Sequence, residues 1–143
     1  MARPRSKSKE PTSFRLAGEL VTALQRTAAE SGETMTSLAE RYLDEGLRRH
    51  DHPLIVFREG AAGRRPALAG TRLDVWQVVE TVRGSDNSTD AAADYLAIPE
   101  PWVRACVRYY ADYRVEVDQW IERMHTLAAR EEDAWKREQS ALA

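Results

Sequence analysis

The chain has 143 residues and a mass of 16.2 kDa, which suits one ordinary domain or two very small ones. Hydrophobic residues make up 43% of the sequence and charged residues 31%, and no apolar run approaches the ~20 residues of a membrane span. The basic N-terminus lacks the apolar stretch of a secretory signal. A single cysteine, Cys106, excludes an intramolecular disulfide framework. These features predict a cytoplasmic protein with no membrane partner.

The net charge of -2 conceals an uneven distribution along the chain. Residues 1–16 carry five basic groups and one acidic group, whereas residues 115–143 carry seven acidic groups and four basic ones. The positive segment favours a polyanion such as nucleic acid, because binding releases counterions. The negative segment favours a basic protein. The two ends therefore indicate two different partners, although two solvated tails would give the same pattern.

The sequence PTSFRL at residues 11–16 alternates between two sets of side chains, which predicts a short strand. Phe14 and Leu16 lie on one side of this strand, and Ser13 and Arg15 lie on the other. A strand this short has no partner nearby in the sequence. We therefore expect it to pair with the same strand of a second copy.

Two short amphipathic helices follow the strand. The first ends at Gly32, which is typical of a left-handed C-cap. The second begins after Thr34, a good N-cap residue, and its apolar side runs from Met35 to Leu47. The strand and two helices bury too little surface to offset the chain entropy of a monomer. The sequence thus predicts a homodimer in which two copies share one core.

This pattern, SFRLAGEL followed by SGETMTSLAERYL, resembles the ribbon-helix-helix family of DNA-binding proteins, of the CopG, MetJ and Arc type. In that family a two-stranded ribbon enters the major groove, and the start of the second helix holds a phosphate on its free amides. The resemblance implies that Ser13 and Arg15 contact bases. It implies a phosphate clamp at Thr34, Thr36 and Ser37. The arm at residues 1–10 adds three candidate DNA contacts, namely Arg5, Lys7 and Lys9.

Residues 50–114 have a different composition, with glycines between short apolar pieces. They predict two short strands and a helix, at 54–57, 67–69 and 75–82. Two further helices follow, the first capped by Ser88 or Thr89 and the second opened by Pro99 or Pro101. Three short helices joined by tight turns predict a helix-turn-helix-like bundle.

This part also resembles the antitoxin-associated family known as domain of unknown function 433, over roughly residues 52–118. The resemblance rests on GRRPALAGTRLDV, on a small acidic helix ending in DYL, and on VRACVRYYADYRVEVD. Its most specific residues are Pro66, Gly70, Thr71, Arg72, Tyr109, Tyr110, Ala111 and Asp112. Members of that family commonly lie beside PIN-like ribonuclease toxins. The resemblance therefore implies a VapB-type antitoxin that neutralises such a toxin.

The last segment, residues 115–143, returns to helical spacing and has more length than a small bundle can cover. We expect it to be an amphipathic helix that binds a groove of a partner protein. Four residues of its apolar stripe are the candidate partner contacts, namely Trp120, Met124, Leu127 and Trp135.

The sequence contains no arrangement typical of an enzyme, and we expect no catalytic residue, metal or cofactor. The three histidines, His50, His52 and His125, do not have the spacing of metal ligands. Cys106 lies on the apolar side of its helix and is interpreted as a buried hydrophobic residue. The arginines at 64, 65 and 72 could contact a phosphate or a partner, but for Arg72 we favour a structural role, paired with Asp74 or with a helix C-terminus.

The sequence as a whole predicts a mostly α-helical protein. The expected parts are a basic arm at 1–10, a ribbon-helix-helix domain at 11–49, a helix-turn-helix-like domain at 50–114 and a long helix at 115–143. The hypothesis is a type II antitoxin that represses its own operon as a dimer and neutralises a PIN-like ribonuclease. Two alternatives stay open: a stand-alone transcriptional regulator, and a dimeric interaction adaptor without DNA binding.

Overall fold

The computed structural model describes residues 8–143, and the mostly helical fold class is confirmed. The helices of this part are α1 (Gly18–Ser31), α2 (Met35–Asp51), α3 (Val75–Gly84), α4 (Thr89–Leu96), α5 (Glu100–Asp112) and α6 (Arg114–Leu142). Two strands, β1 (Ile55–Arg58) and β2 (Arg65–Leu68), form an antiparallel hairpin. The chain divides into two compact units at Pro53, and we refer to residues 8–53 as the N-terminal unit and to residues 54–143 as the C-terminal unit.

The N-terminal unit consists of α1 and α2 packed on each other. Helix α1 ends at Gly32, whose φ of 67° is left-handed, and helix α2 begins at Thr34, whose hydroxyl accepts a hydrogen bond from the amide of Ser37 at 3.1 Å. Both predicted caps are confirmed. The predicted strand at 11–16 does not form: this segment is irregular and exposed. A strand needs a hydrogen-bonding neighbour, and the prediction placed that neighbour in a second copy.

The C-terminal unit is built around one hydrophobic core. The β1–β2 hairpin pairs Ile55 with Leu68, so both side chains enter the core from the same face. Helix α3 contributes four valines at helical spacing, α5 contributes Val103, Cys106 and Tyr109, and the first turns of α6 close the core. Trp76 and Trp102 are partly buried and pack against this core. The predicted strands and the helix at 75–82 are confirmed, with ends shifted by up to two residues.

Local signals fix the turns between the three short helices. Asp74 forms a capping box with Gln77 at the start of α3, and Ser88 accepts a hydrogen bond from the amide of Ala91 at the start of α4. Helix α4 ends at Ala97, which has a left-handed φ of 55°, and α5 begins after Pro99. The turns thus hold α3, α4 and α5 as a compact bundle.

Helix α6 has 29 residues, and only its beginning belongs to the core. Val117, Trp120 and Ile121 are buried, and no residue after Ile121 is. Among the described helices, none combines the length and the apolar character that crossing a bilayer requires. More than half of α6 is therefore an exposed amphipathic helix.

Candidate functional site

The N-terminal unit exposes most of its large apolar side chains. Its buried hydrophobic residues are Ala28 and Leu38, whereas Phe14 is 69% exposed and Leu47 68% exposed. The other exposed large apolar residues of this unit are Leu16, Leu20, Met35, Tyr42 and Leu43. A folded monomer seldom leaves so much of its apolar surface in water. This face therefore has the properties of an association surface.

The two candidate base-contacting residues, Ser13 and Arg15, are both exposed and alternate with Phe14 and Leu16. Arg15 forms no ion pair with another residue of the described chain. In an extended segment, side chains two apart point to the same side. Ser13 and Arg15 are therefore accessible, and in an extended ribbon they would lie on the side opposite the apolar pair.

The start of α2 is exposed at Thr34, Thr36 and Ser37, the predicted phosphate clamp. The Thr34 hydroxyl already accepts the hydrogen bond of the Ser37 amide. The free amides of the first turn are therefore those of Met35 and Thr36, and Ser37 has only its hydroxyl to offer. The positive end of the helix dipole favours an anion at this position.

The basic arm is described only from Ser8 onward, and the candidates Arg5 and Lys7 lie outside the described residues. Lys9 is exposed, and its ammonium group lies 2.9 Å from the Glu40 carboxylate of α2. An exposed ion pair is worth about 0–1 kcal/mol. A phosphate group can therefore displace Glu40 from Lys9 at little cost.

The three arginines of the hairpin, Arg58, Arg64 and Arg65, are bound within the C-terminal unit. Arg65 lies 2.5 Å from the buried carboxylate of Asp74, which also accepts a hydrogen bond from the indole of Trp76 at 3.2 Å. The expected pair of Arg72 with Asp74 is wrong, because Arg72 is exposed and Arg65 is the partner. A Cβ at Gly60 would overlap the Arg65 guanidinium, so the glycine permits this close approach. These contacts stabilise the junction between the hairpin and α3.

A second cluster fixes the beginning of α6, and the sequence analysis did not find it. The Tyr110 hydroxyl donates a hydrogen bond to Asp118 at 2.9 Å, and Arg83 of α3 binds both groups. The guanidinium groups of Arg83 and Arg114 lie 5.0 and 5.7 Å from the Tyr110 ring centre. The spacing of 110, 114 and 118, four residues apart across the α5–α6 junction, is the signal that indicates this cluster.

The side chains that could bind a metal or act in catalysis are dispersed or buried. Among residues 8–143, no three or more His, Cys, Asp or Glu side chains come together where they could hold a metal ion. Burial raises the pKa of the Cys106 thiol to about 12, so the interpretation of Cys106 as a buried hydrophobic residue is confirmed. His52 is buried, His50 is exposed, and His125 pairs with Glu80 of α3.

The four candidate partner contacts on α6 separate into two groups. Trp120 is only 8% exposed and has the Arg123 guanidinium 4.6 Å from its ring centre, so it is a core residue and not an exposed anchor. The sequence pattern does not reveal the burial of Trp120, because the apolar stripe of α6 is continuous between its buried and exposed parts. Met124 and Leu127 are half-buried, and Trp135 is 58% exposed. The exposed apolar surface of α6 therefore begins after Ile121.

The molecule thus combines an N-terminal helix pair with an uncovered apolar face and a hairpin-plus-bundle unit that ends in a long helix. Residues 55–110 match the model of the family described as Protein of unknown function (DUF433). The matched range contains the hairpin and the bundle of α3, α4 and most of α5. No curated protein and no solved structure matches the chain. The match confirms the resemblance of this region and assigns it no activity.

Proposed function

We propose that the protein is a cytoplasmic type II antitoxin without enzymatic activity. It binds operator DNA as a homodimer through the N-terminal unit, represses its own operon, and neutralises a PIN-like ribonuclease through its C-terminal part. One observation carries this proposal: the N-terminal unit has an uncovered apolar face, and the segment that would complete it exposes Ser13 and Arg15 in alternation with Phe14 and Leu16.

The dimer supports DNA binding for a geometric reason. Antiparallel pairing of residues 11–16 from two copies gives the segment its missing hydrogen bonds and lets Phe14 and Leu16 enter a shared core. The opposite side of the same ribbon then displays Ser13 and Arg15 twice. A two-stranded ribbon fits the major groove, where arginine reads guanine through two hydrogen bonds.

Contacts to the DNA backbone complete this mode of binding. The free amides at the start of α2 supply phosphate contacts. Lys9 supplies another when a phosphate group displaces Glu40 from it. The arginines of the hairpin, in contrast, are engaged with carboxylates and carbonyl groups of their own unit. DNA binding is therefore assigned to the N-terminal unit and the arm.

The antitoxin role rests on the resemblance of residues 52–118 and on the exposed half of α6. A type II antitoxin needs a second surface for its toxin, separate from the one that binds DNA. Beyond Ile121, α6 offers apolar side chains in water on a helix that the core anchors at one end.

The DNA-binding part is tested with Arg15→Ala, measured by fluorescence anisotropy on labelled DNA from directly upstream of the protein's own gene. We expect a loss of about 1–3 kcal/mol, or about 5- to 150-fold in dissociation constant, with the dimer intact. Arg26→Ala is the matched control, since Arg26 is an exposed arginine of α1 outside the ribbon segment. Unchanged affinity of an intact Arg15→Ala dimer would contradict the ribbon assignment.

A dimeric adaptor without DNA binding is the alternative, and the uncovered apolar face of the N-terminal unit favours it, because dimerisation alone accounts for that face. The two functions differ in salt dependence. A DNA-binding dimer shows a steep fall of affinity with salt that deletion of residues 1–10 reduces, whereas an adaptor shows no binding at low salt. A stand-alone regulator would bind DNA but would not protect cells from a PIN-like ribonuclease.

A further inference from the structure

The apolar residues of α6 recur every seven residues to its end. They form two columns, Trp120, Leu127, Ala134 and Ala141 in one and Ile121, Ala128, Trp135 and Leu142 in the other. Seven residues make almost two full turns of an α-helix, so each column runs nearly parallel to the axis. The two columns therefore border one continuous stripe on the helix.

A third column lies between these two, and it changes character along the helix. Its members are Val117, Met124, Glu131 and Glu138. Val117 is buried in the core and Met124 is half-buried, whereas Glu131 and Glu138 are exposed. The centre of the stripe is therefore apolar near the core and acidic in the outer half, although apolar residues continue on both sides.

The two glutamates have no charged partner of their own. The ion pair found in the outer half of α6 joins Lys136 to Glu132 at 2.7 Å, and neither Glu131 nor Glu138 forms an ion pair with any described residue. Trp135 and Leu142, beside them in the stripe, are 58% and 84% exposed. The stripe is therefore a surface with an apolar border and two uncompensated negative charges at its centre.

A second copy of α6 fits this surface poorly in either direction. In a parallel pair, central positions face their own equivalents, so Glu131 would meet Glu131 and Glu138 would meet Glu138. In an antiparallel pair, the same edges face each other, and one edge carries Arg123, Arg130 and Arg137, again seven residues apart. Like charges placed opposite each other disfavour association.

We propose that the outer half of α6, residues 122–142, is a docking helix for a different protein. The groove of that protein is apolar and presents basic side chains to Glu131 and Glu138, and the same glutamates prevent α6 from pairing with itself. This inference rests on the partner-binding role of α6 in the proposed function. Beyond that role, it specifies a partner groove that is apolar and basic, and it excludes a second copy of α6 as the occupant of this surface.

The first test removes the two charges without needing the partner. Glu131→Leu with Glu138→Leu makes the central column apolar, and we expect the full-length protein to assemble into a species of about twice the wild-type mass by sedimentation. The matched control, Glu122→Leu with Asp133→Leu, makes the same change of charge on the opposite face of α6, and we expect it to keep the wild-type mass. An unchanged mass for the first variant, or an equal increase for both, would overturn the proposal.

The second test supplies the opposite charge. The probe is a fluorescent peptide of residues 117–142 carrying Glu131→Lys and Glu138→Lys, titrated with the full-length protein and compared with the unmodified peptide. The lysine peptide should bind at least about tenfold more tightly, and 1 M salt should reduce this difference. Equal binding of both peptides, or binding of neither, would contradict the requirement for basic groups.

These tests are independent of DNA binding. If Arg15→Ala binds DNA like the wild type but the α6 variants behave as expected, the ribbon assignment fails and the docking helix stands. If the α6 variants behave like their control while Arg15→Ala loses affinity, the reverse holds.

Discussion

The N-terminal and C-terminal units are built from similar amphipathic helices, but they differ in where their apolar faces lie. In the C-terminal unit a hairpin, a bundle and the start of α6 surround fully buried side chains such as Leu68 and Tyr109. In the N-terminal unit one pair of helices leaves Leu43 and Leu47 in water. A single pair of helices has no second layer to cover its outer faces, and only Ala28 and Leu38 are buried hydrophobic residues between them. The apolar face of the first unit therefore remains exposed, as an association surface does, and that of the second is a core.

The largest expected effect comes from the core of the C-terminal unit. Leu68→Ala removes a side chain with no exposed surface and should lower the free energy of unfolding by about 2–5 kcal/mol. All four tryptophans lie in this unit, so tryptophan fluorescence in urea reports its unfolding separately. The loss should be the same at every protein concentration. A loss that depends on concentration would remove the contrast between the units.

An intermediate effect is expected from the N-terminal unit. Leu47→Ala truncates a side chain that is 68% exposed in one chain, yet it should weaken the proposed dimer by about 1–3 kcal/mol, because a second copy would cover this side chain. The melting temperature followed by circular dichroism should then depend on protein concentration. Leu142→Ala, at a position 84% exposed on α6, is the control and should leave the dimer unchanged. Equal behaviour of both variants would mean that this face has no partner.

The smallest expected effect tests the junction of the hairpin with α3. Asp74→Ala removes the cap of α3 and leaves Arg65 without its carboxylate, which should cost about 1–2 kcal/mol in tryptophan-monitored unfolding. Arg72→Ala changes an exposed arginine and should stay within about 0.5 kcal/mol of the wild type. If the arginine variant were the more destabilising one, the pairing of Arg65 with Asp74 would be wrong.

The features that could be predicted from the sequence depend on neighbouring residues. The caps at Gly32, Thr34 and Ser88 follow from local backbone geometry, and the burial of Cys106 follows from helical spacing. The partner of Asp74 does not follow from local geometry, because the register of the hairpin brings Arg65, nine positions away, next to this carboxylate. Local spacing favoured Arg72, which is only two positions from Asp74.

The candidate site also contains features that neighbouring residues predict and features that depend on distant residues or on a second chain. The exposure of Ser13, Arg15 and the start of α2 agrees with the sequence pattern, while the ribbon itself depends on a second chain and stays a prediction. The burial of Trp120 could not be predicted from periodicity, because the same apolar stripe continues from the core-facing part of α6 into its exposed part. The point at which the core ends is set by how far the bundle extends along α6.

The length of α6 determines how far from the bundle a bound protein is held. At a rise of 1.5 Å per residue, the part beyond Ile121 extends for about 30 Å, roughly the diameter of a small domain. The hydrogen bonds and cation–π contacts around Tyr110 fix the beginning of α6. The direction of α6 relative to the bundle is therefore set by the fold itself and does not require a bound protein. A protein that bound near Trp135 would therefore lie away from the bundle, with most of its own surface accessible.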